Sequence, residues 1–165
     1  MASENTNDQV AFDYIDTSEG LDRLTETLKH ANPIALDTEA DSFHHYQPKV
    51  FLIQLTFDGQ NYVIDPLSEM DLSSFLDALS HKKLIIHDAG YDLRLLYNDF
   101  GFKPKNEVFD TMLAASLAGL KTVGLSALLN RYFDKTAAKH NQKADWSKRP
   151  LPQTNLQYAA EDTAY

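Results

Sequence analysis

The stretch VFLIQLTFDGQNYVIDP (residues 50–66) carries two runs rich in β-branched and aromatic residues, joined by Asp-Gly-Gln. Asp-Gly between two such runs is a hairpin signal, because a two-residue turn needs a left-handed backbone that these residues tolerate. An antiparallel pair of strands is therefore expected here. Upstream, PIALDTE (33–39) reads as a buried strand and FDYID (12–16) alternates like a short one. Downstream, KLIIHD (83–88) is another buried strand.

Helical patterns fill the rest. Asp16 or Thr17 can cap a helix over 18–30, with Leu21, Leu24 and Leu28 on one face. DLSSFLDALS (71–80) is a short helix, and a longer one runs over 89–100 until Gly101. VFDTMLAASLAG (108–119) and VGLSALLNRYF (123–133) read as two more. A polar loop over 134–152 carries Trp146, and a last helix is expected from Gln153 to the final residue, cut short there for want of a stop signal. Strands cluster first, then strand and helix alternate, then helices dominate. That order implies an α/β domain with a mixed sheet, antiparallel early and parallel later.

The 165 residues suffice for one domain with a core, here residues 10–165 behind a disordered polar tail, residues 1–9. The tail lacks the basic start and apolar centre of a signal peptide, and no apolar run approaches the ~20 residues of a membrane span. With no cysteine there is no disulfide framework and no thiolate metal site, and the expected location is cytoplasmic. A formal charge of −9 argues against holding nucleic acid by bulk electrostatics. It is compatible with an enzyme that gathers cations at one acidic site.

Such a site can be assembled from three segments. In IALDTEADSFHHY (34–46), Asp37 and Glu39 are two apart, so on a strand they share a face. With 24 acidic residues in the chain, such a pair alone is only a strand end entering solvent. Asp92 lies in the first turn of the helix after KLIIHD, while Asp88 can cap that helix. In LQYAAEDTAY (156–165), Tyr158 and Asp162 are four apart and share a helix face, from which Glu161 is rotated by about 100°. Strand ends are where sites collect in α/β sheets. Asp37, Glu39, Asp92 and Asp162 together form an oxygen-rich set suited to two hard divalent ions, Mg²⁺ or Mn²⁺. Such a pair serves phosphodiester cleavage, and Tyr158 can orient the attacking water.

These motifs resemble the DEDD superfamily of 3′–5′ exonucleases, in its ribonuclease D-like branch. LDTEADSFHHY (36–46), HDAGYDLRLL (87–96) and DWSKRPLPQTNLQYAAEDTAY (145–165) resemble its three motifs. Gln157 stands five before the last aspartate, where one subtype has histidine. Tyr158 stands four before it, as in the tyrosine subtype. The resemblance implies an RNase H-like (DnaQ-like) fold with a five-stranded mixed sheet flanked by helices. It implies Asp37, Glu39, Asp92 and Asp162 as metal-binding carboxylates, and metal-dependent release of nucleoside 5′-monophosphates from the 3′ end of single-stranded RNA or DNA. The alternative is a non-catalytic nucleic-acid-binding module that retains the fold. Candidate substrate contacts are His44, Trp146 and Arg149, with Trp146 available for stacking on an unpaired base. His87 reads as structural.

Overall fold

The computed structural model describes residues 9–40, 49–136 and 144–165. The strands are β1 (Asp13–Ile15), β2 (Ile34–Ala40), β3 (Val50–Phe57), β4 (Gln60–Ile64), β5 (Leu84–Ile86) and β6 (Val108–Asp110). The helices are α1 (Ser18–Leu28), α2 (Ser73–Ser80), α3 (Ala89–Phe100), α4 (Thr111–Leu117), α5 (Leu125–Phe133) and α6 (Gln153–Glu161). All six strands form one sheet in the order β1-β4-β3-β2-β5-β6. β3 runs antiparallel to β2 and β4, while β1 is parallel to β4, and β5 is parallel to both β2 and β6. The expected mixture of antiparallel and parallel pairing is present.

The hairpin that opens the sequence reading joins β3 to β4. Asp58 and Gly59 both have positive φ, 50° and 74°. That is the backbone whose twist matches the flanking strands, and Gly59 adopts it without a Cβ penalty. Alternation then sorts the sheet into two faces. One carries Ile34, Leu36, Ile53 and Leu55 and packs on Leu21, Leu24 and Leu28 of α1, Phe75 and Leu79 of α2, and Leu95 and Leu96 of α3. The other gathers Leu52 and Val63 with Trp146, Leu151, Leu156, Tyr158, Ala159 and Ala160. Helix α6 therefore lies against β3 and β4, across the sheet from α1, α2 and α3.

Two expectations need correction. The sheet has six strands, not five: β6 occupies the start of VFDTMLAASLAG, where a helix is expected from the sequence. Its three residues pair with β5 as Leu84↔Val108, Ile85↔Phe109 and Ile86↔Asp110. A three-residue edge strand is too short to show a period of two. The last helix also ends early, at Glu161. Asp162 closes it with helical φ and ψ, and the Thr163 hydroxyl then meets that of Thr56 at 2.7 Å. The next polar side chain thus leaves the helix for the sheet.

Asp88 stands at the start of α3 as expected, but with φ at 60° and no side-chain capping bond. The cap comes from Asp110 instead. Its carboxylate accepts from the backbone N–H groups of Asp88 (3.2 Å) and Ala89 (3.0 Å), and from those of Met112 (2.9 Å) and Leu113 (3.1 Å). One side chain serves the N-termini of two helices, each a site of unsatisfied donors. A cap is worth about 0.5–2 kcal/mol, so Asp110→Ala should cost about 2–3 kcal/mol in urea unfolding. A loss within a few tenths of a kcal/mol would show that water replaces Asp110 freely.

Candidate metal and catalytic site

The end of β2 reaches its functional position by alternation alone. Leu36 enters the core with α1, α2 and α3, and Asp37 and Glu39 turn to the opposite face of the strand, half-buried. Between Glu39 and Ala40 the register with β3 slips, so that Glu39 pairs with Leu52 and Ala40 with Val50. Phe51 is the extra residue of this bulge, a device that bends a strand and re-aims side chains beside sites. From the last turn of α6 comes Asp162. One carboxylate oxygen each from Asp37, Glu39 and Asp162 lie within 4.8 Å of one another. The Tyr158 side chain, one helical turn earlier, hydrogen-bonds Asp162.

Asp92 stands outside that 4.8 Å set. Only 4% of it is exposed, and its carboxylate accepts a hydrogen bond from the hydroxyl of Thr38. Its charge nevertheless acts on Asp37 and on Glu39, so the fourth carboxylate lies near the two of β2. Thr38, between Asp37 and Glu39 in sequence, is a site-building residue that the sequence reading missed. The signal was its place inside LDTE, whose alternation turns it toward α3.

Electrostatically the site resists its own charges. Burial, and then the charges of Asp92 and Asp162, push the Asp37 carboxyl well above the usual carboxylate range. Burial, then Asp37, Asp162 and Asp92, do the same to Glu39. Burial carries Asp92 to about 6 against the opposing Thr38 hydroxyl. Burial and the neighbouring Glu161 charge carry Asp162 to about 7, against the bond from Tyr158. Among the described residues, no cationic side chain offsets Asp37, Glu39 or Asp162. Crowded carboxylate oxygens with no cation beside them and no sulfur or nitrogen donor in the set suit a hard divalent ion. The donor set fits Mg²⁺ or Mn²⁺.

The pH dependence of stability follows from these directions. The unfolded carboxyls titrate near 4, whereas in the folded chain Asp92 holds its proton to about 6 and Asp162 to about 7, and Asp37 and Glu39 are raised well above the usual range. Between those values the native state binds more protons, so stability falls as pH rises. In EDTA the melting temperature should drop by about 5 °C or more from pH 5 to pH 8. Excess Mn²⁺ at pH 8 should recover most of that drop. A melting temperature in EDTA that climbs between pH 5 and pH 8 would contradict the burial of these groups.

Three sequence-stretch candidates for substrate contact fare differently. His44 lies outside the described residues. Trp146 is 1% exposed, packed with Leu151 and Leu156 and 6.2 Å from the Tyr158 ring, so its indole offers no face for a base. Arg149 is engaged by the protein. Its guanidinium makes a two-pronged bond to Asp65, and donates to the carbonyls of Trp146 (2.8 Å), Lys148 (2.7 Å) and, at the bulge, Phe51 (2.9 Å). Both are corrected from substrate contacts to supports of the second core. His87 fits its structural reading, with Nδ1 2.9 Å from the Thr111 hydroxyl. Among the described residues, no helix is long and apolar enough to cross a membrane.

Known proteins share this arrangement of chain. The profile of the 3′–5′ exonuclease family matches residues 12–165. Ribonuclease D of Desulfotalea psychrophila is 35% identical over 155 residues, which cover 92% of this chain and 41% of that protein. The exosome complex component 10 homolog of Drosophila melanogaster is 34% identical over 154 residues, 92% of this chain and 17% of its own length. Among solved structures, Escherichia coli RNase D matches with a TM-score of 0.86 at 31% identity, over 94% of this chain and 42% of that one. The catalytic core of RRP6 from Trypanosoma brucei matches at 0.86 and 28%, over 93% and 43%. The chain thus spans less than half the length of these relatives. A match that runs from β1 through α6 takes in all three acidic segments, and by it this chain belongs to the 3′–5′ exonuclease family, in its ribonuclease D-like branch.

Proposed function

We propose that this domain removes nucleotides from the 3′ end of a nucleic acid, with divalent ions held by Asp37, Glu39, Asp92 and Asp162. The observation that carries the reading is the approach of three carboxylates from β2 and α6 to within 4.8 Å without a compensating cation among the described residues. When bound, two divalent ions would supply Lewis acidity that activates water and stabilises the leaving oxygen. The chain's own part is positional. Thr38 holds Asp92 from behind, and α6 carries Asp162 and Tyr158 to the β2 end as one unit. If the Tyr158 hydroxyl gives its proton to Asp162, its oxygen is left free to accept from a water and orient it for attack. The products are nucleoside 5′-monophosphates.

RNA is the favoured substrate class, because relatives matched over nine-tenths of this chain are named ribonucleases. The acidic chain requires that the phosphates be met locally and with metal present. The test is cleavage of 5′-labelled single-stranded RNA and DNA of one sequence in Mg²⁺, Mn²⁺ or EDTA. A ladder shortening from the 3′ end in either metal, absent in EDTA and slowed in Tyr158→Phe, is expected. Retained binding of both strands with no cleavage in any metal would favour the alternative, a nucleic-acid-binding module built on the same fold.

A further inference from the structure

Gln54 is the one residue for which, among the described residues, a fully buried side-chain amide has a partner for neither its nitrogen nor its oxygen. It sits in the middle of β3, flanked by Leu52 and Thr56 on its own face, and across from Val63 on β4. An apolar side chain would fill this place without leaving polar atoms dry, as Leu52 and Val63 do beside it. The amide's two unpartnered atoms therefore point to a neighbour that comes into bonding range when the site is filled.

The register says where that partner lies. Gln54 pairs directly with Asp37 on β2. Opposed residues of an antiparallel pair point to the same face with Cβ atoms about 4.5–5.5 Å apart, well within the reach of a glutamine. Two residues along β3, the Thr56 hydroxyl meets that of Thr163, the neighbour of Asp162. The amide is thus bracketed by Asp37 to one side and by the end of α6 along the strand. A carboxylate that ligates an ion is oriented by donors to its oxygens. The Thr38 backbone N–H already supplies Asp37 with one, and Gln54 is placed to add a second.

We propose that Gln54 is a positioning residue for the metal site: when the site is filled, its Nε2, unpartnered here, donates to an Asp37 carboxylate oxygen, while buried water accepts from the second Nε2–H and donates to Oε1. This rests on the metal-binding reading of Asp37, Glu39 and Asp162. Gln54 touches neither substrate nor ion. Its effect is transmitted through the orientation of Asp37, and loss of such an outer partner lowers metal affinity by about 10–100-fold.

The test measures Mn²⁺ binding directly, by calorimetric titration of the metal-free protein, beside melting in EDTA, for wild type, Gln54→Leu and Gln54→Met. Expected is a 10–100-fold weaker Mn²⁺ affinity in both variants, with a melting temperature in EDTA equal to wild type or above it. The opposed directions exclude a purely structural role, because a structural amide would lower the melting temperature without metal. Unchanged Mn²⁺ affinity in both variants overturns the assignment, and so does a drop of several degrees in EDTA. A wild type that binds no Mn²⁺ removes the metal reading itself and this inference with it, an outcome distinct from either of those.

Discussion

Replacing Asp162 by asparagine should abolish metal-dependent cleavage while making the metal-free protein harder to melt. The loss follows from chemistry. An amide is a poor ligand for a hard divalent ion, and forfeiting several kcal/mol of charge stabilisation slows cleavage by about a thousandfold or more. The gain follows from electrostatics. Asp162 raises the carboxyls of both Asp37 and Glu39, so its charge works against the folded state wherever it is ionised. Asparagine keeps an oxygen for the Tyr158 hydroxyl and gives up the repulsion. Because Asp162 is held to about 7, the stabilisation should be plain at pH 8, a few degrees in the melting temperature, and vanish at pH 5 where the wild-type group already carries its proton. Cleavage at wild-type rate, or a lower melting temperature at pH 8, would refute the assignment of Asp162 to the cluster.

Arg149→Met should have the largest effect on stability alone. Asp65 is 3% exposed, and burial alone would raise its carboxyl. The bonds from Arg149 and Tyr14 hold it below the usual carboxylate range instead. Removing the guanidinium leaves that carboxylate buried without its counter-charge, and strips the Phe51 and Trp146 carbonyls of a donor. Breaking a buried pair from one side costs about 3–5 kcal/mol, on the order of 10 °C for a chain of this length. The second change Asp65→Leu, made in the same chain, should return part of that loss because no charge is then left unpaired. Urea unfolding of the four proteins in the cycle measures the coupling, and simple additivity of the two changes would show that the pair is not a unit.

What could be read in advance was whatever a period of two or four reports. Asp37 and Glu39 share a face because a strand alternates, and Tyr158 and Asp162 because a helix returns every fourth residue. The hairpin was legible in Asp58 and Gly59, whose positive φ only a few residue types accept readily. Several features lay beyond such local rules. The strand β6 has only three residues. Trp146 sits in a loop whose sequence neighbours are polar, so nothing local announces that Leu151, Leu156 and Tyr158 enclose it. Arg149 meets Asp65 across 84 residues, and Thr38 meets Asp92 across 54. Those pairings depend on how elements stack, which the pattern along any one element does not encode. Gln54 was visible only as one polar letter in an apolar run, and its significance rests on the register that sets it opposite Asp37.

Helix α6 delivers Asp162 and Tyr158 together, and its first turn has no side-chain cap at Pro152. Lifting this one helix off β3 and β4 would withdraw the proposed ligand Asp162 and the Tyr158 hydroxyl in a single motion, leaving Asp37 and Glu39 in place on β2. Local opening of this kind costs less than global unfolding. On the function proposed above, cutting would need α6 docked, and an ion shared by Asp37, Glu39 and Asp162 would tie that helix to β2.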